Sequence, residues 1–220
     1  MQTLGEIIDN VTMDKKTDRL IHLIKKAQEQ YSEEHLVLTV PGFISKKFIA
    51  YCAMKEDLEL ILQYISEIRN NPASVIKSAL SYSLIALYGK CFTDASKSNF
   101  PKLEPTDLFK EGDDLYATHN YLMELRHQFI AHRGETENEI GMSYMLVPKK
   151  DSLDKTQVRF SQLKMAGFSK EDLDKFDALM SFLIEKLLDK IQKSGQKVHD
   201  GMMNLFTPEQ LTLMLMNSAK

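Results

Sequence analysis

The stretch Glu124-Leu125-Arg126-His127-Gln128-Phe129-Ile130-Ala131-His132-Arg133-Gly134 is the most informative in the chain. On a helical wheel Leu115, Leu122, Leu125 and Phe129 share one stripe, and Gly134 is a good C-cap residue. A helix is therefore expected from Asp113 to about Arg133. Arg126 falls only about 20° from Leu115 on that wheel, with His119 close beside it. A guanidinium on an apolar face needs a partner or a cavity, because an unpaired buried charge is very costly. His132 lies about 120° from Arg126, so the two converge only where the helix frays or tightens before Gly134, or where both face one cleft obliquely. The residues alone leave two readings open. In one, Arg126 pairs with a core carboxylate and His132 caps the last carbonyls of its helix. In the other, both belong to a site.

Upstream, most of the chain reads as helix. Asp14 to Glu34 carries an amphipathic pattern, Leu36-Val37-Leu38-Thr39-Val40 is a short β-like run closed by Pro41-Gly42, and helical spacing returns from about Ser45 to Arg69. Asn71-Pro72 reads as an N-cap followed by a first-turn proline. The helix it opens, roughly Pro72 to Phe92, is apolar nearly all round and is expected to be the most buried. Thr93 to Asp113 turns polar, with one short helix after Thr106; so long a connection is often functional.

Downstream, Met142 to Val147 and Gln157 to Leu163 suit strands and predict a β-hairpin insertion over about 141–165. Ser169 with Asp172 then opens a long helix striped by Leu173, Phe176, Met180, Leu183, Leu187 and Ile191. Thr207-Pro208-Glu209-Gln210 has capping-box spacing and starts a terminal helix over about 207–218. The expectation is an all-α fold, one helical domain over 1–220 carrying a small β-hairpin before its last long helix.

Composition narrows the function. The 220 residues hold 28 Lys+Arg against 31 Asp+Glu, a net charge of −3, which excludes a protein gripping nucleic acid over a broad positive field. Cys52 and Cys91 have no CxxC spacing, so neither a disulfide framework nor a zinc knuckle is indicated. The N-terminus has no basic n-region or apolar h-region, and no apolar run approaches the ~18 residues of a membrane span. A cytoplasmic protein without membrane contact is expected.

Arg126, five intervening residues and His132 resemble the R-x(4–6)-H motif of the HEPN superfamily, small helical bundles that often act as ribonucleases. Leu-Arg-His-Gln-Phe-Ile-Ala-His-Arg is similar to the form this motif takes in abortive-infection and toxin-type members. The helix ending Leu87-Tyr88-Gly89-Lys90-Cys91-Phe92 is similar to the one preceding the motif there. The resemblance is specific over Pro72 to Gly134. The chain departs from the commoner pattern in having His127 rather than Asn or Asp after the arginine, and in its β-hairpin.

The resemblance implies a HEPN-like, metal-independent endoribonuclease of toxin or phage-defence type, needing no cofactor. The ribose 2′-hydroxyl attacks the adjacent phosphorus in a site built at a homodimer interface. His132 is implied as acid or base and Arg126 as stabiliser of phosphoryl charge, with His127 in support. RNA and an antitoxin or other partner protein are the implied partners.

Lys149, Lys150, Lys155 and Arg159 in the hairpin segment are candidate RNA-binding residues, although a charged hairpin tip is more often simply solvated. His119, His127 and His132 scatter round their helix and make no HExxH pair, so no metal site is expected. No P-loop, nucleophile elbow or dinucleotide loop is present. Two rival readings stand beside the enzyme: a catalytically inert HEPN-like binding or scaffold protein for a partner protein or nucleotide, and a plain helical protein whose motif is accidental.

Overall fold

The computed structural model describes residues 15–94, 100–127, 139–149, 156–164 and 167–218, and the chain is mostly helical with one small hairpin. In chain order the elements are α1 (Lys15–Tyr31), α2 (Gly42–Asn70), α3 (Ser74–Phe92), α4 (Pro105–Leu108), α5 (Asp114–Leu125), β1 (Glu139–Leu146), β2 (Gln157–Lys164), α6 (Lys170–Met203) and α7 (Pro208–Ser218). Two compact units divide the chain. One holds Lys46–Gln196; the other holds the described residues up to Ser45 together with those from Lys197 onward. Among the described residues, no helix is long and apolar enough to cross a membrane.

The core of the larger unit is built by two matching stripes. On α2, Leu58, Ile61, Ile65 and Ile68 alternate three- and four-residue steps; on α6, Leu173, Phe176, Met180, Leu183 and Leu187 do the same. Such spacing keeps one apolar seam on one helix face. All nine are essentially buried and join Leu84, Ile85 and Tyr88 of α3 and Leu122 and Leu125 of α5 in one cluster. Arg69 ties the end of α2 to the start of α6. It donates to Asp177 at 2.8 Å, to Asp174 at 2.7 Å and to the Leu173 carbonyl at 3.2 Å.

Both capping boxes form. Ser169 Oγ accepts from the Asp172 N–H, and the Asp172 carboxylate accepts from Ser169 N–H and Oγ. Thr207 Oγ1 accepts from the Gln210 N–H while Gln210 Oε1 accepts from the Thr207 N–H. In the smaller unit a Cβ on Gly201 would stand 3.0 Å from Ile44, so the missing side chain lets these two segments close up.

Three expectations change. Leu36–Val40 is not a strand: the one sheet among the described residues is β1–β2, and without a partner an extended run has no ladder to join. The Pro41 carbonyl instead accepts from the N–H groups of Ile44 and Ser45 at the start of α2. Asn71 does not cap α3. Its Oδ1 accepts the Ala73 N–H in a local turn, and the helix begins two residues later than Pro72. Nor is α3 buried along its length: Val75 is 78% exposed, and the buried residues run from Ser81 to Phe92.

The hairpin is longer than expected, with Ile140 opposite Leu163, Met142 opposite Ser161, Tyr144 opposite Arg159 and Leu146 opposite Gln157. These four pairs share one face, since side chains alternate along a strand. Gly141, Ser143 and Met145 lie on the other, with Gln162, Phe160 and Val158 opposite. A Cβ on Gly141 would stand 2.9 Å from the Phe160 ring, so the glycine gives that ring room to lie diagonally across the ladder. Every side chain of β2 is exposed.

Candidate functional site

Among the described residues, the backbones of α3 and α5 run close together. Their contact is built around a histidine and a glycine. His119 on α5 is 4% exposed, and its Nδ1 lies 2.6 Å from the Tyr88 hydroxyl on α3. Rings surround it: Phe92 at 4.5 Å, Phe109 at 5.0 Å and Tyr116 stacked at 6.2 Å between centroids. Burial disfavours the imidazolium and pushes the His119 pKa down to about 4. At neutral pH the ring is therefore uncharged. Nδ1 and the Tyr88 hydroxyl share one hydrogen bond, whose donor is set by the tautomer of the neutral ring. Burial also drives the Tyr88 hydroxyl well above its ordinary range, which keeps it protonated.

The residue after Tyr88 is Gly89, buried in the last turn of α3. Glycine there costs roughly 1 kcal/mol relative to alanine, so a packing reason is expected. The reason is Arg126. A Cβ on Gly89 would collide with Cδ and Nε of Arg126 and come within 3.1 Å of its Cγ. The aliphatic stem of the arginine crosses α3 in the gap that the glycine leaves.

Arg126 is half-buried, and among the described residues its guanidinium has no hydrogen-bond or ion-pair partner. No buried side-chain nitrogen or oxygen there lacks a partner, so the charged head reaches the surface while the stem is covered. The ion pair with a core carboxylate, one of the two readings the sequence leaves open, does not form among those residues. Arg126 thus stands beside the apolar stripe of Leu122 and Leu125 rather than within it.

Local backbone geometry sets Arg126 apart as well. It ends α5 with helical angles (φ −62°, ψ −46°), and its N–H reaches the carbonyls of both Leu122 and Met123. Arg126 and His127 then enter a wider π-turn, a device that often re-aims side chains at functional sites. His127 is exposed. His132, with Phe129 and Gly134 of the expected helix end, lies outside the described residues.

The hairpin cations divide in the same way. Lys149 and Arg159 are exposed, with Arg159 Nη2 donating to Gln157 Oε1 at 2.6 Å; Lys150 and Lys155 lie outside the described residues. Among the described residues, no group of three or more His, Cys, Asp or Glu is placed to hold a metal ion. Burial pushes the Cys91 thiol up to about 12, with Asp57 adding and Lys90 opposing, so it stays protonated. A cleft of about 230 Å³ opens beside it, lined by Met54, Asp57, Lys90 and Phe100, with Lys90 and Asp57 paired at 2.6 Å.

Sequence reasoning singled out Arg126 but not the glycine that seats it or the tyrosine that binds His119. A lone glycine in the apolar run of α3 was the available signal. The chain matches no protein-family model, no curated protein and no solved structure.

Proposed function

We propose that the protein is a HEPN-like, metal-independent endoribonuclease of toxin or phage-defence type, acting in the cytoplasm as a homodimer. One observation carries this reading: a guanidinium with no partner among the described residues, its stem seated over a helix glycine and its head open to solvent. A solvated arginine on a plain surface needs no such seat. An arginine that must meet a phosphoryl group gains from having its rotamers restricted beforehand.

In the proposed reaction a base takes the proton of the ribose 2′-hydroxyl as its oxygen bonds to the adjacent phosphorus. The bond from phosphorus to the 5′-oxygen breaks, and that oxygen takes a proton from an acid. The products are a 2′,3′-cyclic phosphate and a 5′-hydroxyl, with no water or metal consumed. Imidazole suits either proton transfer near neutral pH, and His132 is assigned to it. Arg126 offers paired donors to the phosphoryl oxygens as charge builds there. A second copy supplies the second histidine. His127 is given a supporting role, and Lys149, Lys150, Lys155 and Arg159 steer the RNA backbone. His119 has no part in proton transfer, because its Nδ1 is engaged by Tyr88 and its buried ring resists protonation.

The test is cleavage of end-labelled RNA in EDTA by the wild type, Arg126→Ala and His132→Ala. The expected result is a cyclic-phosphate product from the wild type and at least a hundredfold slower cleavage by each variant. Cleavage absent from the wild type, or undiminished in both variants, would sink the proposal. An inert scaffold is the second reading, and the exposed apolar hairpin favours it; that reading expects no cleavage by any of the three.

A further inference from the structure

A two-stranded ribbon standing alone is at best marginally stable in water. This one also exposes large apolar side chains. On one face Ile140 is 49% exposed, Met142 60%, Tyr144 40%, Leu146 47% and Leu163 75%. A residue of this size offers on the order of 150–200 Å² when fully open, so that face presents roughly 450 Å² of apolar surface. Arg159, Gln157 and Ser161 flank it, the first two bonded to each other and Ser161 Oγ 3.5 Å from the Tyr144 hydroxyl.

We infer that this face of the hairpin is an arm through which two copies of the chain associate, each laying its Ile140–Leu146 row on the same row of the other. Two arguments select a second copy. The first is charge. Over 140–146 and 157–163 Arg159 is the sole charged residue, and its Nη2 donates to Gln157 Oε1 within its own strand. A face with a single charge meets its own image with little repulsion, whereas a partner chosen by charge would need a charged face to recognise. The second is area. Two such faces remove roughly 900 Å² of apolar surface together, and the flanking polar residues carry the sum past the ~1,000 Å² at which specific interfaces begin.

A two-fold axis near Met142 and Tyr144 runs the two ribbons in opposite directions. The inference rests on the ribonuclease reading only in that such a site needs two copies; the surface itself is independent of it.

Sedimentation velocity on the wild type, Met142→Asp and the double variant Met142→Asp/Tyr144→Asp tests the arm. The expected outcome is a wild type at twice the chain mass and a double variant at the chain mass, with unchanged far-ultraviolet circular dichroism. A dissociation constant raised at least a hundredfold is the predicted size. Hydrogen exchange on the wild type at two concentrations is the second measurement and needs no variant. Amides of 139–146 and 157–164 should exchange more slowly at the concentration where the dimer forms. A monomeric wild type, a double variant as dimeric as the wild type, or hairpin amides indifferent to concentration would overturn the inference. RNA cleavage by a strictly monomeric protein would overturn the arm and the two-copy site while leaving a ribonuclease; a hairpin-linked dimer without cleavage would leave the arm and overturn the enzyme.

Discussion

The contact between α3 and α5 and the hairpin solve opposite problems. At the helix contact a histidine and a tyrosine hydroxyl are buried and bonded to each other, and a glycine is spent to let an arginine cross. At the hairpin the backbone is paired, but the apolar side chains remain open to water. The first region holds its polar groups at fixed positions before any ligand arrives. The second keeps its apolar groups available for something outside the fold. Preorganisation and availability occupy separate elements of the same unit.

The largest test of this contrast is truncation. Leu122→Ala, at a fully buried position of α5, should cost about 2–5 kcal/mol through lost burial and the cavity left behind. Leu163→Ala in the hairpin, at a concentration low enough to keep the protein monomeric, should cost no more than about 0.5 kcal/mol. Urea unfolding of both variants measures this, and equal costs would erase the distinction.

Acid provides the next test. In the folded chain His119 titrates near 4, below the 6.5 of an unburied histidine. Between those values the unfolded chain holds a proton that the folded chain refuses. Stability is therefore full above about pH 6.5 and falls as the pH drops toward 4, by up to about 3 kcal/mol. His119→Gln keeps an acceptor for Tyr88 without a titrating ring, so its urea midpoint should change less over the same range. Parallel pH profiles for the two proteins would refute burial as the source of the slope.

The smallest effect has the most specific sign. In the wild type Gly89→Ala forces Arg126 aside, and RNA cleavage should fall as far as it does in Arg126→Ala. In the Arg126→Ala background the collision is gone, and the same substitution should stabilise α3 by up to about 1 kcal/mol. Thermal melts of the four proteins complete a double-mutant cycle. Additive behaviour would mean that the two residues do not share the space.

What the sequence made legible was local or periodic. Ser169 with Asp172 and Thr207 with Gln210 announce helix starts because both halves of each box lie within four residues. The stripes of α2 and α6 and the alternation of β1 follow from one helix or strand at a time. Arg126 drew attention because it breaks its own wheel. The pairing of Gly89 with Arg126 and of Tyr88 with His119 did not show, because each joins residues more than thirty positions apart and nothing in α3 alone says which helix will cross it. The open faces of the hairpin were hidden for a related reason: alternation tells which residues share a face, not whether anything covers it.

The seat beneath Arg126 also has a consequence for descent. A side chain at 89 collides with the Arg126 stem where it now lies, so one order of change at the two positions costs more than the other. A lineage that abandons the arginine is free to fill the glycine afterwards, and gains helix stability by doing so. Once filled, the position makes the arginine harder to regain, because its stem would have to take another path across α3.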